Sequence, residues 1–147
     1  MKKGFTMIEL IFVIVILGIL AAVAIPKLAA TRDDAEISKT ASNIQTLISD
    51  LGSYYTSQGE FASGSDAVKK MSNVKTPVKA KDNDCLKVDL GIGNATDGEI
   101  GFDVGTAGLC GKVWGLPGLA DVKALIESSD NKTAKTLKFG GMGIKYK

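Results

Sequence analysis

From Leu10 to Ile25 the chain runs sixteen residues without a charge, LIFVIVILGILAAVAI. Extended back to Phe5, the apolar run is interrupted only by Glu9. As a helix rising about 1.5 Å per residue, this stretch spans roughly 31 Å, the hydrocarbon thickness of a bilayer. Pro26 follows, and it is expected to kink the helix without ending it. Beyond it Ile37, Ala41, Ile44, Ile48, Leu51 and Tyr55 recur at alternating steps of four and three. That spacing predicts an amphipathic helix seating one face on a partner, with Ala35, Leu47 and Tyr54 widening the stripe. Arg32, Asp33, Glu36, Lys39 and Asn43 hold the opposite face, and Gly59 supplies a C-terminal stop. A short coiled coil would show the same stripe, but it lasts under three heptads, which favours packing within the chain's own domain.

After Gly59 the pattern breaks up. Residues 60–84 are polar and turn-rich, with a short helix expected from Ser65 or Asp66 to Met71 and Ser65 as its cap. The period then becomes two: Leu86, Val88 and Leu90 predict one strand, and Ile100, Phe102 and Val104 another after the Thr96-Asp97-Gly98 turn. Leu109–Trp114 reads as a third strand. A helix is expected over residues 117–128 with Leu119, Val122, Leu125 and Ile126 inward. Leu137–Phe139 and Ile144–Tyr146 flank Gly140-Gly141 as a closing hairpin. The fold class is therefore α+β, a long N-terminal helix packed on a small antiparallel sheet. Its segments are a membrane helix over 5–28, an amphipathic continuation over 29–59, and a globular head over 60–147.

Composition removes most chemistry. There is no histidine, which excludes a Ser-His-Asp triad, a Cys-His dyad and any His-bearing metal site. Arg32 is the single arginine, and without Lys2 and Lys3 the basic and acidic residues are equal in number. A neutral body lacks the footprint of a dedicated nucleic-acid binder, so nucleic acid is not an expected partner. No catalytic constellation is present, and neither an enzyme activity nor a small-molecule substrate is expected. No cofactor or metal is expected either. Calcium is the one ion that Asp82, Asn83, Asp84, Asp97 and Glu99 would suit, though without EF-hand spacing. Trp114 and Tyr146 read as packing residues more than a binding patch. The sequons at Asn94 and Asn131 carry little weight.

Lys2 and Lys3 precede the apolar run, which places the N-terminus in the cytoplasm and the head across the membrane. There the compartment is oxidising, so Cys85 and Cys110 could pair and stabilise a small head, the alternative being two buried thiols. Three readings compete for the run itself. Ala22-Val23-Ala24 has the form of a signal-peptidase site, but cutting there leaves Ile25-Pro26 at the new start. A plain anchor is the second. Neither accounts for Glu9, an acid whose class costs about 2.5–3.5 kcal/mol at a membrane-helix centre and less near its end. A free α-amino group would be its natural partner, which requires a cut between Gly4 and Phe5.

The stretch KKGFTMIEL, continuing through Gly18 to Pro26, resembles the leader and cleavage site of type IV pilins and type II secretion pseudopilins. The resemblance covers about the first 30 residues. It implies a leader at 1–4, cleavage between Gly4 and Phe5 by a prepilin peptidase, and N-methylation of Phe5. Glu9 would pair with the Phe5 ammonium of a neighbouring subunit. The implied function is a structural subunit of a pilus-like filament serving adhesion, motility or DNA uptake. Its partners would be like subunits, an inner-membrane assembly platform and that platform's ATPase. The alternatives are a pseudopilin and, more remotely, a membrane-tethered extracytoplasmic binding protein. Many pilins carry a disulfide loop and major pseudopilins usually lack one, so Cys85 and Cys110 tilt the resemblance toward a pilus. They lie well before the C-terminus, and no head residue is carried over from the family.

Overall fold

A computed structural model describes residues 4–92, 97–128 and 135–139. The chain divides into two compact units, Met1–Ala35 and Glu36–Lys147. Helix α1, Met7–Gln58, contributes to both and passes through Pro26 without ending. At its C-terminus Gly59 turns left-handed (φ 80°) while its N–H still bonds the Tyr55 carbonyl at 2.8 Å. A residue without Cβ takes that conformation at least cost.

In the second unit α2 (Ala67–Met71) leads to strands β1 (Val78–Ala80), β2 (Asn83–Asp89) and β3 (Glu99–Val104). Helices α3 (Leu109–Trp114) and α4 (Leu119–Glu127) and strand β4 (Thr136–Lys138) follow. The four strands pair antiparallel in the order β1-β2-β3-β4. Apolar positions meet across the ladder, Leu86 opposite Val104 and Val88 opposite Phe102, while Lys87 faces Asp103 and Glu99 faces Lys138. Matched pairs of this kind fix the register, because a one-residue slip would turn every apolar side chain outward.

Ile37, Ala41, Ile44, Leu47 and Leu51 of α1 join these strand residues in one core. Thr40, also buried, donates its hydroxyl to the Lys79 carbonyl at 3.1 Å, tying α1 to β1. Close approach at Gly52 admits Phe139, whose ring would lie 3.3 Å from an added Cβ. Phe139 meets Phe61 edge-on with ring centres 5.7 Å apart.

Cys85 alternates away from Leu86 and is bonded to Cys110 on α3. Trp114, one helical turn on, donates its indole N–H to the carbonyls of Cys85 and Gly105, both at 3.1 Å. A Cβ at Gly105 would fall 1.9 Å from the Asp84 carbonyl oxygen, so only glycine lets β3 exit there. Trp114 is therefore a packing residue.

Several elements differ from the sequence expectation. Leu109–Trp114 is helix α3, not a strand: Cys110, Val113 and Trp114 are buried at helical spacing. The cap of α2 is Asp66, not Ser65, and it makes no side-chain cap bond because its carboxylate takes Lys69 at 2.9 Å. Strand β1 was not anticipated, three residues behind Pro77 being too few to set a period. Leu90 lies past the end of β2 and is exposed. In α4 Leu119 and Ile126 are buried, but Leu125 is 59% exposed. The expected strand Ile144–Tyr146, Gly140-Gly141, Thr96 and both sequon asparagines lie outside the described residues.

Candidate functional site

The candidate site is the start of α1 and the apolar surface that follows it. Gly4, Phe5 and Thr6 are exposed and precede the helix, and Met7 is the first helical residue. Nothing lies within 4 Å of where a Gly4 Cβ would stand, so the Gly4–Phe5 bond is open to approach. Thr6 and Glu9 cap the helix reciprocally. The Thr6 N–H donates to Glu9 Oε2 at 2.9 Å, and the Glu9 N–H donates to Thr6 Oγ1 at 3.3 Å. Two of the amides that a helix start leaves unpartnered are thereby satisfied, and the carboxylate sits at the positive end of the helix dipole.

This arrangement gives Glu9 a local partner and holds its carboxylate within one turn of Phe5. The sequence reading singled out Glu9 and Phe5 but missed Thr6. The signal was there to be read, since T-x-x-E before an apolar run is the sequence form of a capping box.

Beyond the cap, α1 has a window of mean hydropathy 3.1 with none of it buried. Phe5 is 86% exposed, Ile8 80%, and every large apolar residue from Leu10 to Leu28 is at least 40% exposed. Fully burying one such side chain is worth about 1.5–3 kcal/mol. A surface of this extent demands an apolar environment from outside the chain, either lipid or other helices. The polar boundary comes at Lys27 and Thr31. The Thr31 hydroxyl bonds back to the Lys27 and Leu28 carbonyls, both at 3.0 Å, which keeps it satisfied without water.

The structure thus brings Gly4, Phe5 and Glu9 together at one helix start and places Pro26 inside the same helix. Cys85 and Cys110 belong to the second unit. Among the described residues no three His, Cys, Asp or Glu side chains are grouped to hold a metal ion. Of the acidic turn residues, Asp84 is engaged by Lys79 at 3.3 Å.

Residues 1–25 match the family described as "Prokaryotic N-terminal methylation motif". The chain is similar to the fimbrial protein of Neisseria meningitidis, with 35% identity over 96 residues, covering 65% of this chain and 55% of that protein. It is also similar to the type IV major pilin protein PilE1 of Neisseria gonorrhoeae, with 30% identity over 115 residues, covering 78% and 63%. Type II secretion system core protein G of Pectobacterium carotovorum shares 34% over 70 residues, covering 48% and 45%. The chain therefore spans about half of the curated relatives' length. No solved structure matches it.

Proposed function

Because this chain belongs to the type IV pilin and type II secretion pseudopilin family, we propose that it is the structural subunit of a type IV pilus-like filament. The observation that carries this reading is the uncovered apolar surface of α1, opening on a capped Glu9 beside an exposed Gly4–Phe5 bond. Water, delivered by a prepilin peptidase on the cytoplasmic face, hydrolyses that amide. A glycine carboxylate leaves with the leader, and Phe5 becomes the ammonium terminus, which is then N-methylated.

Glu9 Oε2 is held by the Thr6 N–H of its own chain, and Oε1 takes the Phe5 ammonium of a neighbour. That contact neutralises a charge which lipid disfavours, and it sets the axial register of the stack. The apolar helices exchange lipid for one another, so van der Waals packing is largely conserved on leaving the membrane. The head stays on the oxidising side, consistent with its disulfide. An inner-membrane platform and its ATPase drive the extraction. The filament serves adhesion, motility or DNA uptake through its outer surface, and no catalytic role is assigned.

A second reading, a type II secretion pseudopilin, has its own support. Core protein G of Klebsiella michiganensis is 43% identical over 53 residues. Both readings share the assembly chemistry and differ in where the filament stands.

Intact mass and N-terminal sequencing of sheared surface material test the proposal. The expected chain begins at N-methyl-Phe5 and is lost from the surface fraction in Glu9→Ala, while the membrane pool remains. Phe5 confined to the membrane fraction favours the pseudopilin. An uncut Met1, with surface material indifferent to Glu9→Ala, overturns both readings and leaves a tethered extracytoplasmic protein.

A further inference from the structure

Positive charge in the head is gathered at one edge of the sheet. Between Ala67 and Lys81 stand five lysines and no carboxylate. Of these, Lys69 pairs with Asp66 at 2.9 Å and Lys79 with Asp84 at 3.3 Å; on the far side of the head Lys123 and Lys135 share Glu127 at 3.8 and 3.9 Å.

A groove of about 570 Å³ opens at this edge, between α1 and the segment leading into β1. Lys39 and Asn43, one turn apart on α1, line one wall. Asn73, Lys75, Pro77 and Lys79 line the other, and the lining contains no carboxylate. Lys79 is shared with Asp84 at 3.3 Å across a half-exposed contact. Lys39 and Lys75 are exposed and have no carboxylate within 4.0 Å among the described residues. Asn73 also borders a second hollow lined by Asp50, Lys69 and Lys70. Asp50, which accepts the Ser72 hydroxyl at 2.6 Å, adds a carboxylate to that hollow, so the groove between α1 and β1 is the part without one.

We propose that this groove binds a carboxylate-bearing polysaccharide, a chain of uronate sugars. The walls offer ammonium groups for the carboxylates and two carboxamides, which both donate and accept, for the sugar hydroxyls. No aromatic ring lines the groove, so bases would have nothing to stack on. The volume falls in the roughly 300–1,000 Å³ range of sites that enclose small ligands, too narrow for a duplex. The inference does not depend on filament assembly, because every residue in it lies in one head.

The test uses the full chain in non-ionic detergent micelles and follows the anisotropy of a short fluorescent oligomannuronate. A neutral oligomannose of equal length and a single-stranded oligonucleotide serve as comparisons. The expected result is uronate binding that weakens as salt rises. It should fall about tenfold, the factor that accompanies loss of roughly 1.4 kcal/mol of contacts, in Lys39→Gln/Lys75→Gln. Lys123→Gln, on a matched pair elsewhere, should leave it unchanged, and circular dichroism should show equal folding in all three proteins. No uronate binding, equal binding of oligomannose, indifference to the double substitution, or tighter binding of the oligonucleotide would each overturn the proposal. Any of these outcomes leaves the filament reading untouched, since the chain is tested unassembled.

Discussion

The two halves of α1 are built from similar apolar residues and use them in opposite ways. Ile44, Leu47 and Leu51 are fully buried against the sheet and its helices, while Ile8, Leu17 and Ile19 stand exposed. Periodicity carries the distinction. A stripe at steps of three and four meets one partner inside the chain, whereas an all-round apolar surface needs a partner outside it. One half therefore contributes to the stability of a head, and the other to association with lipid or like helices.

The sharpest way to break this comparison is to remove the same side chain from each half. Leu47→Ala should destabilise the head by about 2–5 kcal/mol, because the deleted atoms leave a cavity the core cannot fully close. Leu17→Ala should leave the head's denaturant midpoint where it was. Chemical denaturation of the full chain in micelles, followed by Trp114 fluorescence, measures both, since Trp114 lies in the head. Equal effects at the two positions would mean that the halves are not independent in the way burial indicates.

The next largest effect belongs to the cross-link. Cys85 and Cys110 are 25 residues apart, and opening a loop of that size should cost about 3.5 kcal/mol through the freedom returned to the unfolded chain. Cys85→Ser/Cys110→Ser should lower the head's midpoint accordingly. The same substitutions should not alter the capped start of α1, which circular dichroism of the helical signal in micelles would follow. A head as stable without the bond as with it would show that the core of α1 and the sheet suffices alone.

What could be read from the sequence follows from how far each signal extends. Leu86, Val88, Phe102 and Val104 alternate over enough positions to declare strands, and α1 declared itself over 52 residues. Leu109–Trp114 did not. Six residues with apolar positions at 109, 110, 113 and 114 fit a buried strand or a helical turn, and the bond to Cys85 with the Trp114 indole decided for the helix. Strand β1 exists because β2 offers it a ladder, a tertiary cause invisible in Val78-Lys79-Ala80 alone. At the candidate site Glu9 stood out because a charge in an apolar run is costly. Thr6 passed unnoticed because a threonine there costs nothing, although it holds the Glu9 carboxylate in place. The cationic groove was hidden for another reason: Lys39 and Lys75 are far apart in sequence and meet only when α1 lies beside β1.

The smallest effect separates two kinds of helix start. At α1 the acid caps the backbone, while at α2 Asp66 makes no cap bond and turns to Lys69. The hydrogen bond from the Lys69 ammonium, helped by its charge, holds the Asp66 carboxyl below its ordinary value of 3.8 and raises Lys69 above 10.5. A depressed carboxyl contributes stability that is present above its unfolded pKa and is lost as pH falls through the folded one. A raised ammonium contributes stability that is present below its unfolded pKa and is lost as pH rises through its own folded one. The pair should therefore support α2 across neutral pH and fade at both extremes. Both groups are fully open to water, where salt screens such pairs and measured contributions are small. Carbon-detected NMR titration of Asp66 should give a midpoint that returns toward 3.8 in Lys69→Ala and also moves upward at high salt in the parent chain. A midpoint insensitive to both would assign the lowering to the start of α2 itself and not to Lys69.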